Sequence, residues 1–253
     1  ALYGRQFPDL LAHRGYDLVR VLEQVYLGAD GIYGTPLGVS STFVIIIVVF
    51  GALLEKTGAS GVLMDIAVSM TRNSKGGPAK AAVVGSSLMG MISGTAVANV
   101  LTTGTISIPL MRRGGYRPAV AGAVEAVAST GGQLMPPIMG AAAFLMADIM
   151  EVPYLDITKA ALLPALLFYI AVFASVHLEA VKLGLKPLNG IEVPDVALSL
   201  RNSGHVLISI PIFIGTLISG YSVMYSSLAG IVSLLALSLL RHSSRLNPRQ
   251  LVA

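Results

Sequence analysis

The sequence predicts an all-α integral membrane fold, and three observations carry that prediction. Of 253 residues, 54% are hydrophobic and 12% charged, with a mean hydropathy of +0.76, whereas a soluble domain carries roughly 25% charged side chains. Apolar runs recur at lengths near the ~20 residues that a helix needs to cross a bilayer. Two of these runs are interrupted midway by small polar residues and helix breakers. One holds Met89-Gly90-Met91-Ile92-Ser93-Gly94-Thr95-Ala96-Val97-Ala98-Asn99, the next Ser129-Thr130-Gly131-Gly132-Gln133-Leu134-Met135-Pro136-Pro137. The length leaves room for several spans and no large soluble domain beside them, so one membrane unit is expected.

Residues 1–35 are mixed in character. Within 17–27, Val19, Leu22, Val25 and Tyr26 recur at helical spacing with Arg20, Glu23 and Gln24 between them, which predicts a short surface or interfacial helix. Pro36 opens the first strongly apolar run, 37–54, closed by Glu55, Lys56 and Gly58, a span of ordinary length. The run 61–71 is too short to cross and leads into the polar turn 72–78 with Arg72 and Lys75, so an interfacial connecting helix is expected. The apolar segments 80–92 and 96–111 flank Ser93-Gly94-Thr95 and carry cations at both outer ends. Each arm, at ~13 to 16 residues, reaches ~20 to 24 Å, short of a ~30 Å hydrocarbon core. A re-entrant helical hairpin over 80–111 therefore fits better than two spans.

The segment 118–150 is broken near its middle by Gly131-Gly132 and Pro136-Pro137, with Asp148 and Glu151 at its far end, and reads as one discontinuous span. A continuous span follows over 158–180, with Pro164 near its start and His177, Glu179, Lys182 and Lys186 at its exit. The stretch 184–203 is polar and contains Pro187, Glu192, Pro194 and Asp195, as a linker would. Finally 204–218 and 223–240 flank Ser219-Gly220-Tyr221-Ser222 and precede Arg241, His242, Arg245 and Arg249, a helical hairpin with a basic tail. The organisation is thus a leading segment 1–35, a unit 36–183, a linker 184–203 and a hairpin 204–253.

The formal charge of +4 and pI near 9.4 do not point to nucleic acid, because the cations sit in short clusters beside apolar runs rather than along one helix face. The bilayer is the expected partner. By the positive-inside rule 72–80, 112–117, 182–201 and 241–249 are cytoplasmic. The span count agrees: the hairpin returns to its own side, the broken span crosses outward to Glu151, 158–180 returns, and the last two runs go out and back. Without cysteine there are no disulfides, thiolate metal sites or cysteine nucleophiles. No His-Glu-x-x-His, Gly-Lys-Ser/Thr or Gly-x-Ser-x-Gly motif occurs, so an enzyme is not expected. The chain begins with Ala and no signal-peptide pattern precedes its first span, as in a processed product or a piece of a longer one.

Unpaired backbone groups in hydrocarbon cost several kcal/mol each, so a helix breaks at membrane depth only where protein or a water-filled cavity satisfies it. Freed carbonyls with Ser and Thr hydroxyls make hard oxygen ligands suited to Na+, and half-helix N-termini favour an anion. Ser93, Thr95, Asn99, Ser129 and Thr130 supply that chemistry. Taken singly, Gly90-x-x-x-Gly94 also reads as close helix packing and Pro136-Pro137 as a kink. Two breaks together, each with hydroxyl or amide residues, point to an ion or solute site. Glu125 is the only acid within 118–147 and lies one turn before Ser129. It is either a structural acid of the interior or one that supports the site or carries a coupling proton. Asn99 faces the same choice between helix-to-helix bonding and solute contact.

Several motifs resemble the large membrane permease of tripartite ATP-independent periplasmic (TRAP) transporters, of the type in which small and large membrane subunits are fused. They are Gly76-Gly77-Pro78-Ala79-Lys80, Ile92 to Val100, Thr102-Thr103-Gly104, Ile108-Pro109-Leu110-Met111, and Ala121 to Ala126 through Met135 to Phe144. The resemblance implies an elevator-type symporter of the bacterial inner membrane, driven by Na+ and importing organic acids delivered by a periplasmic substrate-binding protein. It implies further that Ser93, Gly94, Thr95, Ser129, Thr130 and Gly131 form a Na+ half-site, and that Thr95, Asn99, Gln133 and Pro136 lie at the substrate. Thr95 stands where the family more often has Ser. Such permeases contain two inverted repeats, and this chain has one: 36–183 corresponds to the first, and 204–253 to the opening scaffold helices of the second. The expectation is a partial chain that does not transport until a second repeat and the small-subunit region complete it. The competing function is a membrane scaffold or assembly module with no ion site of its own. An intramembrane enzyme would have only Ser129 with Glu125 as nucleophile and base, a weak dyad.

Overall fold

The computed structural model describes residues 6, 8, 14–28, 31–185, 187 and 195–239. Lys186, Glu192 and Pro194 of the expected linker, and the basic tail Arg241, His242, Arg245 and Arg249, lie outside the described residues. Among the described residues every regular element is a helix. Helix α1 (Leu18–Leu22) starts on Asp17, whose carboxylate accepts from the Leu18 amide at 2.8 Å, and runs into a π-helical turn, Glu23–Leu27. Helix α2 (Thr35–Lys56) opens with Pro36 in its first turn, where a missing N–H removes no helical bond. Its Ser40 and Thr42 hydroxyls donate back to Pro36 O and Gly38 O, each at 2.7 Å, so the polar groups of an apolar helix are internally satisfied.

Helix α3 (Ala59–Thr71), expected as an interfacial connector, packs antiparallel along the first half of α4 (Gly77–Ser93). Met64 fills the space left by Gly85, and Thr71 Oγ1 donates to Gly77 O at 3.2 Å. About half of α3 is buried because Ala59, Val62, Leu63, Met64, Ala67, Val68 and Thr71 share its inner face. After Gly94 comes α5 (Ala96–Arg113), which returns beside α4. The two arms have 17 and 18 residues, or about 26 and 27 Å, longer than the apolar runs alone suggested yet still under a ~30 Å core.

Helix α6 (Pro118–Gly131) tightens into a 3-10 turn, Gly132–Leu134, and the chain is non-helical over 135–140 before α7 (Ala141–Ile149). Helix α8 (Tyr154–Lys182) then runs 29 residues, about 44 Å. Its exposed Leu162, Leu163, Leu166, Leu167 and Ile170 form the apolar surface that a bilayer covers. The last two helices are α9 (Val196–Ile218) and α10 (Val223–Leu239). Here the structure corrects the expected linker, because Val196–Ser203 forms the first turns of α9 rather than a loop. Asp195, read as a polar linker residue, is its N-cap and accepts from Ala197 N at 3.0 Å and Leu198 N at 3.3 Å. Ser199 Oγ donates to Asp65, which ties this first half of α9 to α3. Helices α2, α8 and α9 are long and apolar enough to cross a membrane by length and composition.

The bundle has two chemically different ends. At one, Gly76 lies against Ala180 and Tyr116, Gly114 against Pro78, and Gly115 against Leu185. The starts of α4 and α6 and the ends of α5 and α8 therefore meet, bringing Arg72, Lys75, Arg112, Arg113, Arg117 and Lys182 to one rim. Burial pushes the Tyr116 phenol up to about 12, with Glu179 adding to the shift, so it stays neutral and can donate to Gly76 O at 3.5 Å. The opposite end joins the turn before α8 to the turn between α9 and α10, and carries Asp148, Glu151 and an Asp156–Lys159 pair at 3.1 Å. Such segregation is the pattern that the positive-inside rule expects of a cytoplasmic rim.

Candidate functional site

The hairpin tip and the broken span meet. Gly90 lies so close to Gly132 that a Cβ on Gly90 would fall 2.2 Å from the Gly132 Cα, and one on Gly132 would fall 2.8 Å from both the Gly90 Cα and Asn99 Nδ2. Gly94 turns the hairpin at φ 62°, a left-handed conformation that a side chain disfavours. A Cβ there would lie 2.5 Å from the Met139 carbonyl oxygen. Two close backbone crossings thus seat α4 and its tip on 132–139. Two helix N-termini open at that contact, α5 after Thr95 and α7 after Gly140. Each presents amide N–H groups and the positive end of a helix dipole.

The non-helical segment 135–140 is held from α8. Tyr154 Oη shares its proton between Pro137 O, at 2.9 Å, and Ile138 O, and its ring stacks on Phe144 with centroids 4.4 Å apart. Gly140 N donates to Gln133 O at 2.8 Å across the break. Phe168 fills the space at Gly131, and Tyr169 Oη donates to Ala128 O at 3.0 Å. Carbonyls freed by the break are therefore partly satisfied by tyrosine hydroxyls. Tyr154→Phe leaves two buried carbonyls without their donor. It is expected to cost about 1–2 kcal/mol and to raise amide hydrogen exchange at Gly140 well above wild type, while α4 amides stay unchanged.

Beneath the tip lies a polar cluster built by three helices. Glu125 is fully buried on α6. Ser129 Oγ reaches it at 3.0 Å and Ser86 Oγ at 3.3 Å, and Thr103 and Ser107 hydroxyls bond to its two oxygens. Ser86, Thr103 and Ser129 crowd Oε1 and Ser107 takes Oε2, so the carboxyl group is the shared centre of four hydroxyls. Asn99 is fully buried as well, and its Nδ2 donates to Ser86 O at 2.8 Å and Ser129 O at 3.5 Å. The single Thr103 hydroxyl proton is shared between Glu125 and Asn99 O, the latter at 2.8 Å. Every side chain of this cluster comes from α4, α5 or α6, so it fastens both hairpin arms to the first half of the broken span.

The candidate residues fall into three places. Ser93, Gly94 and Thr95 form the tip, where Ser93 Oγ approaches Thr95 O at 3.4 Å and Thr95 Oγ1 accepts from Ala98 N at 3.3 Å as the N-cap of α5. Asn99, Glu125 and Ser129 belong to the buried cluster. Thr130 and Gln133 are exposed, Thr130 with its hydroxyl bonded to Ala126 O at 2.7 Å, whereas Gly131 and Pro136 are buried. Ser129 and Glu125, the pair weighed as a nucleophile and base, are bonded to each other with no exposed surface.

Sequence reasoning had not singled out Ser86, Ser107 or Tyr154, nor given Thr103 a role. A signal was there for two of them: Asn99, Thr103 and Ser107 stand four residues apart, one polar row on the helix face that meets the Glu125–Ser129 pair of equal spacing.

A family profile described as "Tripartite ATP-independent periplasmic transporter, DctM component" matches residues 7–253. The chain is 28% identical over 170 residues, 67% of its length and 39% of the relative's, to the C4-dicarboxylate TRAP transporter large permease protein DctM of Pseudomonas aeruginosa. It is 31% identical over 105 residues to the uncharacterized protein y4mL of Sinorhizobium fredii, covering 42% of this chain and 25% of that one. With the uncharacterized protein YgiK of Salmonella typhimurium the identity is 30% over 90 residues, 36% of this chain and 21% of that one. The chain thus spans well under half the length of the curated relatives it matches.

Proposed function

This chain belongs to the DctM component family of tripartite ATP-independent periplasmic transporters, a transporter family and not an enzyme family, and we propose that it builds one half of a Na+-coupled uptake path for organic acids. The observation that carries the reading is the seating of the hairpin tip on the broken span, with the N-termini of α5 and α7 at the contact. A carboxylate substrate is drawn to those amides and dipole ends. The relative named as a C4-dicarboxylate permease supports that substrate class.

Na+, as co-transported cargo, takes hard oxygens. Ser93, Gly94 and Thr95 at the tip and Ser129, Thr130 and Gly131 at the end of α6 offer hydroxyl and carbonyl oxygens. A hydroxyl that gives its proton to another acceptor, as Ser129 does to Glu125 and Thr130 to Ala126 O, keeps lone pairs for a cation. Thr95 and Gln133, both exposed, are the substrate-facing members of the set, and Asn99 and Pro136 shape the wall behind them. The hairpin is re-entrant, opening from the cytoplasmic rim. Fastened to α6, it moves with the broken span as one body in an elevator-type cycle, with Glu125 as its support. A second repeat supplies the facing half of the site, and a small membrane subunit and a periplasmic binding protein complete the system in the inner membrane.

The test is thermal unfolding of the permease in which this chain is joined to a second repeat, in Na+ against K+. A ligand that binds only the folded state at ten times its Kd adds about 1.4 kcal/mol, so the midpoint is expected to rise in Na+ alone. Thr95→Ala and Ser129→Ala each remove the rise. Ser129→Ala also lowers the midpoint in K+, because it strips a donor from Glu125. A rise that survives in both variants places the ion elsewhere, and no rise in the unsubstituted protein favours an assembly role for the two backbone crossings.

A further inference from the structure

A groove of about 480 Å³ runs between α4 and α8 on the outer face of the bundle, away from the tip. Its walls are apolar, formed chiefly by Val83, Val84, Leu166, Ile170, Phe173 and Ala174. Lys80 and His177 lie at one end of it. Lys80 is 5% exposed. Its ammonium donates to Ser74 Oγ and sits 5.1 Å from the centroid of the Phe173 ring, and among the described residues no carboxylate lies within ion-pair distance of it. His177 Nδ1 is buried and has no hydrogen-bond partner among the described residues. A buried cation normally has an anion beside it, and a buried nitrogen normally has a partner. Both residues line one groove at its cationic end, where an anionic oxygen group would pair with the ammonium.

The remaining dimension says what that anion is attached to. From Leu166 to His177 the α8 wall rises eleven residues, about 16 Å, which is close to half of a ~30 Å hydrocarbon core. The exposed Leu166 and Ile170 leave the groove open along its side. Lys75 and Lys182 at the same rim extend the positive field beyond Lys80. We infer that this groove binds one anionic phospholipid of the cytoplasmic leaflet, its phosphate held by Lys80 and His177 and one acyl chain lying along Val84, Ile170 and Ala174. The inference rests on the chain being embedded in a bilayer with its cationic rim on the cytoplasmic side and is independent of Na+ coupling.

Native mass spectrometry of the full chain in mild detergent, supplied with equal amounts of phosphatidylglycerol and phosphatidylcholine, tests it. One phosphatidylglycerol per chain is expected to be retained with at least tenfold preference. Lys80→Gln removes that preference, and Lys80→Arg keeps it. A photoreactive benzophenone residue in place of Ala174, irradiated in native membranes, gives a phospholipid adduct, and this readout leaves Lys80 intact should Lys80→Gln fail to fold. Equal retention of the two lipids by the unsubstituted chain, an undiminished preference in Lys80→Gln, or a polypeptide adduct at position 174 would each overturn the assignment, the last by making the groove a protein-docking face.

Discussion

Replacing Glu125 with alanine is expected to destabilise the chain by about 3–5 kcal/mol, because it leaves buried hydroxyls without their acceptor and opens a cavity where the side chain was. The carboxylate has no exposed surface and collects hydroxyls from three helices. Its removal strands Ser107 most completely, since Ser86 and Thr103 lie 3.3 Å apart and can bond to each other, and Thr103 already reaches Asn99 O. Glu125→Gln keeps the volume and one acceptor oxygen but puts an N–H2 group among hydroxyls that point inward as donors, so a smaller loss of about 1–2 kcal/mol follows. The order wild type, Gln, Ala in a denaturant titration, with faster hydrogen exchange confined to α4, α5 and α6, marks Glu125 as the fastener of the hairpin. Unchanged stability in Glu125→Gln together with lost substrate accumulation would instead assign Glu125 to proton coupling.

How much of this was legible in the sequence depends on what each feature asks of single residues. Gly131-Gly132 and Pro136-Pro137 announce their break directly, because glycine weakens a helix and proline removes its amide. The long apolar runs announce membrane helices, but their ends are blurred. The run 158–180 sits inside Tyr154–Lys182, since it ends short of the charged Asp156 on one side and Lys182 on the other while the helix continues through both. The start of α9 was hidden for a similar reason: polarity and two nearby prolines imitate a linker, and only the geometry of Asp195 reveals a cap. Ser86 and Thr103 were hidden because Ser and Thr in apolar helices usually bond to their own helix, as Ser87 and Thr130 do here. Which hydroxyls instead meet a carboxylate is decided by helix rotation, a tertiary property.

Packing and site had been weighed as alternatives at Gly90-x-x-x-Gly94, and the structure shows close packing at both glycines. Gly90 has no side chain so that α4 can touch the Gly132 backbone, and that contact is what carries Gly94 onto Met139. Glycine at the first position thus sets the geometry of the tip at the second.

Gly90→Val is therefore expected to have the other large effect. Its Cβ would fall 2.2 Å from the Gly132 Cα and 3.0 Å from the Gly132 carbonyl carbon and oxygen. These are backbone atoms, which cannot step aside by changing a rotamer, so α4 must withdraw from the break. Withdrawal of α4 strains the Ser86–Asn99–Glu125 bonds just below, and overpacking of this kind costs about 1–3 kcal/mol or more. Withdrawal also parts the tip from 138–139, so Na+-dependent stabilisation is expected to vanish altogether, not merely weaken. Gly122→Ala supplies the contrast. It lies on α6, where a Cβ would meet nothing within 4 Å, and replacing glycine in a helix interior is expected to stabilise by up to about 1 kcal/mol. Both variants insert a side chain into a helix of the same unit, so a thermal midpoint that falls in Gly90→Val and holds or rises in Gly122→Ala isolates the Gly90–Gly132 crossing from helix propensity. Equal midpoints and an intact Na+ response in Gly90→Val would mean that the tip does not depend on this crossing, and the coupling of hairpin to broken span would then rest on the Glu125 cluster alone.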